Sequence, residues 1–111
     1  MKYRVSLETR FEQAPRNPAE EQAVVAFLER VFGFLEEMGG EDPDAGGAMA
    51  TGEVRVSVTV DATDLRDAFQ QGAELIQRAI QRAGVVVEDR SRERFVVEPE
   101  ETPEPLVLTA P

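Results

Sequence analysis

Four valines alternate with polar residues near the middle of the chain, and this pattern constrains the fold more than any other feature. The segment 54–61 reads VRVSVTVD, and its apolar positions are Val54, Val56, Val58 and Val60. Because successive side chains of a β-strand point to opposite faces, the alternation predicts a strand with one buried and one polar face. A sheet of such strands is covered by helices on one face only.

A helix with a regular apolar stripe is predicted directly after this strand. Thr63 is the predicted N-cap, and Asp64 and Asp67 lie in the first turn, where the helix dipole favours acidic residues. Glycine is common just after the end of a helix, so Gly84 is predicted to follow the last helical residue. The stripe consists of Leu65, Ala68, Phe69, Gly72, Leu75, Ile76, Ala79, Ile80 and Ala83. Its small residues would let the helix approach the sheet closely.

The N-terminal part of the chain predicts another strand and another helix. In the strand segment KYRVSLETRF the inward positions are Tyr3, Val5, Leu7 and Phe11. Asn17 is the N-cap of the helix, Pro18 occupies its first position and Glu20 its third. Gly39 and Gly40 end it. Its apolar stripe consists of Val24, Phe27, Leu28, Val31, Leu35 and Met38.

The remaining segments have no clear periodicity. Residues 39–52 combine glycine, proline and acids, so we interpret them as a flexible acidic and glycine-rich loop. Residues 85–99 form a third strand region, either one long bent strand or a hairpin that turns near residues 90–93. We favour the hairpin, because charged residues interrupt apolar runs at both ends. Residues 99–111 form a Pro-rich, acidic C-terminal tail.

Together these elements predict an α+β fold. We expect a two-layer sandwich of ferredoxin-like type in the order β-α-β-α-β(-β), with two helices on one face of a small sheet. The common ferredoxin-like order β-α-β-β-α-β is not a clean match, because residues 39–52 offer no good extra strand. The 111 residues are enough for one domain with one core, which we assign to residues 1–98.

Composition excludes several classes of chemistry. The chain has no cysteine and no histidine, which removes disulfides, thiol nucleophiles, thiolate or imidazole metal ligands and imidazole acid–base catalysis. An acidic segment that begins at Asp42 resembles a calcium loop only superficially, because Gly46 stands where an oxygen ligand is needed and Pro43 interrupts it. We therefore expect no metal, no cofactor and no catalytic residue.

The charge balance and the hydropathy bear on partners and compartment. With 22 acidic and 12 basic residues the net charge is −10, which disfavours direct binding to nucleic acid or to anionic membranes. The longest apolar run, residues 23–28, is too short to span a bilayer, and the start MKYRVS lacks the apolar stretch of a signal peptide. The arginine-rich, lysine-poor composition is typical of a high-GC bacterium, such as an actinobacterium, or its phage, which suggests a structural or accessory protein of one of these. We expect a cytoplasmic protein, or a virion protein if it is phage-encoded.

Two groups of apolar residues exceed what the predicted core needs. They are Val25, Phe32 and Phe34 in the first helix and Leu106, Val107 and Leu108 in the tail. The helix group implies either a core that wraps around the helix or an interface. The tail group could add as a strand to a sheet edge, of its own domain or of a neighbour, or merely fold back on its own domain.

Three arginines alternate in the third strand region, so on a strand they share one face. They are Arg90, Arg92 and Arg94. As a functional site, their guanidinium groups could contact a carboxylate or a phosphate. As a structural device, charges on an edge strand discourage pairing between sheet edges, and we favour this second interpretation.

Three functions compete on this basis. We favour a non-catalytic protein–protein interaction or assembly module, self-associating through the first helix or a sheet edge as a homo-oligomer. The alternative is an acidic, nucleic-acid-mimicking inhibitor of a DNA-handling protein, motivated by nine acids within residues 36–44 and 98–104. The third is a carboxylate-based enzyme or small-ligand binder on the polar sheet face, which requires a concave pocket.

Overall fold

The computed structural model describes residues 1–10, 14–84 and 93–99, and in this part of the chain it shows a small α+β fold. The elements are β1 (Lys2–Arg10), α1 (Pro18–Glu37), β2 (Glu41–Ala48), β3 (Glu53–Asp61), α2 (Leu65–Ala83) and β4 (Arg94–Pro99). The four described strands form one antiparallel sheet in the order β2-β3-β1-β4. The two helices pack on the sheet and against each other.

The two central strands, β1 and β3, follow the predicted alternation. Val5 lies opposite Val58, and Leu7 lies opposite Val56, with all four side chains buried in the core. Helix residues complete this core, including Phe27, Val31 and Leu35 of α1 and Ala68, Ile76 and Ala79 of α2. The alternate positions of the strands form the opposite, polar face of the sheet. The pattern of valines is therefore confirmed as the inner face of a central strand.

The start of α1 is confirmed as predicted. The Asn17 side chain accepts a hydrogen bond from the Glu20 backbone N–H at 2.9 Å, and Pro18 is the first helical residue. Hydrogen bonds from the backbone and side chain of Arg16 lower the pKa of Glu20 below its ordinary value. The helix ends at Glu37, and Gly39 follows with a positive φ of 83°, a conformation that glycine adopts without strain.

The start of α2 lies one residue later than the sequence predicted. The N-cap is Asp64, whose carboxylate accepts a hydrogen bond from the Asp67 backbone N–H at 2.8 Å, and not Thr63. Thr63 instead donates its own backbone N–H to the Asp67 carboxylate at 3.1 Å, and Gln71 donates to the same group. These bonds lower the pKa of Asp67 below its ordinary value, with the Thr63 backbone as the largest cause.

The prediction of a flexible loop at residues 39–52 is wrong, because most of this segment is the edge strand β2. It pairs with β3, with Gly47 opposite Val54, and the Lys2 side chain forms an ion pair with Glu41. A Cβ on Gly47 would lie 2.6 Å from the Glu53 carbonyl oxygen, so glycine suits the close approach of these backbones. In the described residues the element order is therefore β-α-β-β-α-β, whereas the sequence predicted β-α-β-α-β(-β).

The C-terminal strand β4 pairs with β1, with Val97 opposite Val5. It includes Pro99, so the strand extends one residue past the predicted domain end and into the predicted tail. The question whether residues 85–99 form one strand or a hairpin involves residues 85–92, which lie outside the described residues. Phe11 and the rest of the tail, 100–111, also lie outside them.

Candidate functional site

The outer surface of α1 carries two of the predicted interface residues. Val25 is 39% exposed and Phe32 is 37% exposed, values that leave a large part of each side chain in contact with solvent. Residues three or four apart are neighbours on a helix surface, so Phe32 lies between the exposed acids Glu29 and Glu36. This apolar surface is therefore small and is bordered by negative charge.

Phe34 is placed differently from these two residues. It is only partly exposed and packs against the buried core, so it belongs to a core that wraps around α1 and not to the free outer surface. The Arg82 guanidinium of α2 lies over its ring, 4.5 Å from the ring centroid, in a cation–π arrangement. The contact joins the two helices and covers part of the ring.

The sequence did not identify the largest apolar exposure on α2. Leu65 is 53% exposed and Phe69 is 43% exposed, although both belong to the stripe that was predicted to be buried. The Phe69 ring meets the partly buried ring of Phe95 on β4 edge-on, with centroids 5.4 Å apart. We call the surface formed by Leu65, Phe69, Phe95 and the outer edge of β4 the β4 rim.

The two edges of the described sheet differ in how well they could accept another strand. The β2 edge contains Pro43, which cannot donate a backbone hydrogen bond, and a register irregularity between Glu41 and Asp44. Asp42 there has a positive φ of 49°, which bends the backbone away from a regular strand. Such features protect an edge strand against pairing. The β4 edge, of sequence RFVVEP, has its one proline at the last position.

The polar face of the sheet has a buried centre made of hydroxyl groups. The side chains of Ser6 and Ser57 share a hydrogen bond at 3.0 Å, and both residues are almost completely buried. Arg4 donates to the Thr59 hydroxyl at 3.0 Å and to the Asp42 carbonyl. These bonds satisfy polar groups that would otherwise be costly to bury.

A depression with a volume of about 880 Å³ lies at one end of this face. Its charged lining residues are Glu8, Arg10, Asp44, Glu53, Arg55 and Arg94. Arg10 pairs with Glu53 at 3.2 Å and Arg94 pairs with Glu8 at 3.8 Å. Arg55 donates to the Ser6 hydroxyl at 3.4 Å and has no carboxylate partner among the described residues. The depression suits contact with one anionic group better than acid–base catalysis, because two of its carboxylates already face arginines.

Of the three alternating arginines, only Arg94 belongs to the described residues. It lies on the polar face of β4 opposite Glu8, and its side chain is mostly exposed. Arg90 and Arg92 lie outside the described residues, so their sharing of a face with Arg94 stays a prediction. The tail residues Leu106, Val107 and Leu108 likewise lie outside the described residues.

The acidic segment 36–44 is less uniformly negative than its sequence indicates. Glu41 forms an ion pair with Lys2, and Asp42 lies 3.8 Å from Arg4. A surface that imitates the phosphates of nucleic acid needs acids that remain unpaired. The pairing of these two acids therefore gives less support to the nucleic-acid-mimic alternative.

Comparisons with known proteins identify no family for this chain. No protein-family model matches the chain, and a search of curated proteins found no significant match. Within the described ranges, no group of three acidic side chains is arranged to hold a metal ion. Neither α1 nor α2, the helices of the described part, is long and apolar enough to cross a membrane.

Proposed function

We propose that this protein is a non-catalytic protein–protein interaction module that self-associates through the β4 rim. The observation that carries the proposal is the exposure of Leu65 and Phe69 beside a sheet edge that has no blocking proline before Pro99. Exposed apolar side chains that adjoin each other typically mark an interaction site. An edge strand adds unpaired backbone donors and acceptors to the same surface.

The outer surface of α1 is the less suitable place for two copies to meet. A symmetric contact there would bring Glu29 and Glu36 close to the same acids of the second copy, because a twofold interface uses one patch on both subunits. Like charges that are brought together at an interface oppose association. Val25 and Phe32 are thus better suited to a different, basic partner, and the proposed homo-oligomer uses the β4 rim.

We also propose that the fold is a two-layer sandwich of ferredoxin-like type. The element order β-α-β-β-α-β, the strand order β2-β3-β1-β4 and the contact between the two helices support this classification. Such a scaffold serves many unrelated functions, so the classification does not itself argue for the proposed activity. The exposed side chains of α2 and the neighbouring β4 edge support the proposed self-association.

Light scattering coupled to size exclusion tests the proposed self-association. We expect the wild-type mass to rise above the monomer mass with concentration, and Phe69→Glu to shift this rise to higher concentration because it places a charge in an apolar contact. Gln70→Glu is the matched control, since it adds the same charge at the neighbouring exposed position. Phe32→Glu tests the outer surface of α1 in the same way, and we expect it to leave the mass unchanged.

Two results would contradict the proposal. A wild-type protein that remains a monomer at millimolar concentration would exclude self-association. An oligomer that Phe69→Glu and Gln70→Glu affect equally would show that added charge, and not loss of the apolar contact at the β4 rim, is responsible.

A further inference from the structure

The strand β4 has a sequence that is complementary to itself when two copies run in opposite directions. It reads RFVVEP from Arg94 to Pro99, with a basic residue and an acidic residue on either side of Val96. Arg94, Val96 and Glu98 lie on the polar face, because their partners on β1 are Glu8, Ser6 and Arg4. Opposite charges therefore lie two residues before and two residues after Val96, and apolar side chains lie one residue before and one residue after it.

We infer that two copies of the chain pair antiparallel through their β4 edges, with Val96 opposite Val96 on a twofold axis. The inference deepens the proposed function and rests on it, since it names the partner strand and its register. In this register Arg94 lies opposite Glu98 of the second copy, and Glu98 lies opposite its Arg94. Opposed residues of an antiparallel pair are close enough for such ion pairs to stabilise the sheet.

The register follows from the faces of the strand. A twofold axis perpendicular to the sheet keeps both polar faces on one side, so residues of the same face must oppose each other across the new pair. A shift of the axis to Phe95 would place Arg94 opposite Val96, and a shift to Val97 would place Glu98 opposite Val96. Both shifts remove the opposite-charge pairs, so the axis at Val96 is the favoured one.

The helix-facing side of the proposed pair is apolar. Phe95 would lie opposite Val97 of the second copy, and both residues are partly buried against the core within one copy. Phe69, which meets Phe95 at 5.4 Å, would be covered further by the second sheet. The outward backbone groups of β4 would also gain hydrogen-bond partners. A charge on an edge strand usually prevents pairing, but Glu98 supplies the compensating charge for Arg94.

A single cysteine reports this register directly, because the natural chain contains none. Val96→Cys would place two thiols on directly opposed residues, whose Cα atoms are about 4.5–5.5 Å apart, within the range for a disulfide. Arg94→Cys and Glu98→Cys are the matched controls on the same face. In the proposed register each of these two cysteines lies four residues along the strand pair from the same cysteine of the second copy. That distance is about 13 Å, too far for a disulfide.

We expect Val96→Cys, in the full chain under mild oxidation, to form a covalent dimer at least about tenfold faster than either control, since only its thiols are within bonding range. Equal rates for all three variants would overturn the inference, as would faster dimer formation by a control. If residues 85–89, as the partner strand of the predicted hairpin, or the C-terminal residues 106–108 covered the β4 edge instead, Val96→Cys would stay reduced, which also overturns it. A wild type that self-associates while Val96→Cys stays reduced contradicts this register and leaves the proposed function intact.

A charge exchange provides a second, reversible measurement on the full chain. We expect Arg94→Glu and Glu98→Arg each to raise the dimer dissociation constant by on the order of tenfold, because each creates two like-charge oppositions. The double variant would restore the dimer. Within one copy it leaves Glu opposite Glu8 and Arg opposite Arg4, so only contacts between copies can explain a recovery.

Arg78→Glu, on the exposed surface of α2, controls for the change in net charge made by Arg94→Glu. Circular dichroism verifies that each variant is folded. A double variant that dimerises no better than the single variants would overturn the proposed register.

Discussion

The absence of a side chain at Gly72 sets how closely α2 approaches the sheet. A Cβ atom at this position would overlap the side chain of Val5, a fully buried residue of β1. Gly33 of α1 is the opposite case, because among the described residues nothing lies within 4 Å of its Cβ position. Both glycines lie inside helices and so carry the same backbone entropy cost, but only one of them is required by packing.

We therefore expect alanine to have opposite effects at the two glycines. Gly33→Ala should raise the free energy of unfolding by up to about 1 kcal/mol, the usual gain in helix propensity. Gly72→Ala should lower it, because overpacking costs about 1–3 kcal/mol and outweighs that gain. Urea denaturation measures both changes. Equal stabilisation by both alanines would contradict the close approach.

At the residue scale the sequence predicted packing better than exposure. The small residues of the α2 stripe indicated a close approach to the sheet, and Gly72 confirms it. The same stripe wrongly predicted that Leu65 and Phe69 are buried. Helical spacing shows which side of a helix faces the sheet, but it does not show how far the sheet extends beneath that side. Phe69 lies beside β4, where the described sheet ends, and Leu65 is its neighbour one turn earlier on the helix surface.

Among the elements, strand β2 shows why sequence reasoning found only part of the sheet. The valines of β3 alternate with polar residues because one face of this central strand packs on the core and the other face is polar. β2 has glycine, proline and acids instead; it pairs with β3, packs Ala45 against the core and accepts ion pairs from β1. These are non-local interactions that local strand propensity does not register. For the same reason the edge that forms the candidate site could not be recognised before the strand order was known.

The cap of α2 provides a prediction at this scale. Asp64→Ala should lower the free energy of unfolding by about 1 kcal/mol, the usual cost of losing an N-cap side chain. Thr63→Ala is the matched control and should cost less, because it keeps the backbone N–H that bonds to Asp67 and loses only a long 3.4 Å hydroxyl contact. Thermal unfolding at neutral pH compares the two. A larger loss for Thr63→Ala would restore Thr63 as the cap.

For the whole molecule, charge opposes the proposed association. Each copy carries a net charge of −10, so two copies repel each other over any distance that salt does not screen. Raising the salt concentration from about 10 mM to about 100 mM shortens the screening distance from about 30 Å to about 10 Å. We expect the dimer to become tighter over this range, although the Arg94–Glu98 contacts themselves weaken slightly.

Sedimentation equilibrium across a salt series measures this dependence. The acidic-inhibitor alternative predicts the opposite dependence for a different complex, because an acidic protein bound to a basic partner would lose affinity as salt rises. A dimer that dissociates with added salt would show that specific ion pairs dominate over the overall repulsion.

The irregular β2 strand has a consequence for how large an assembly can become. Pro43 and the displaced register protect the β2 edge, so under the proposed pairing only the β4 edge of the described sheet would join a second copy. In the terms of polymer chemistry such a unit would be monofunctional: once two copies had joined, neither remaining edge of the described sheets would favour the growth of a fibre.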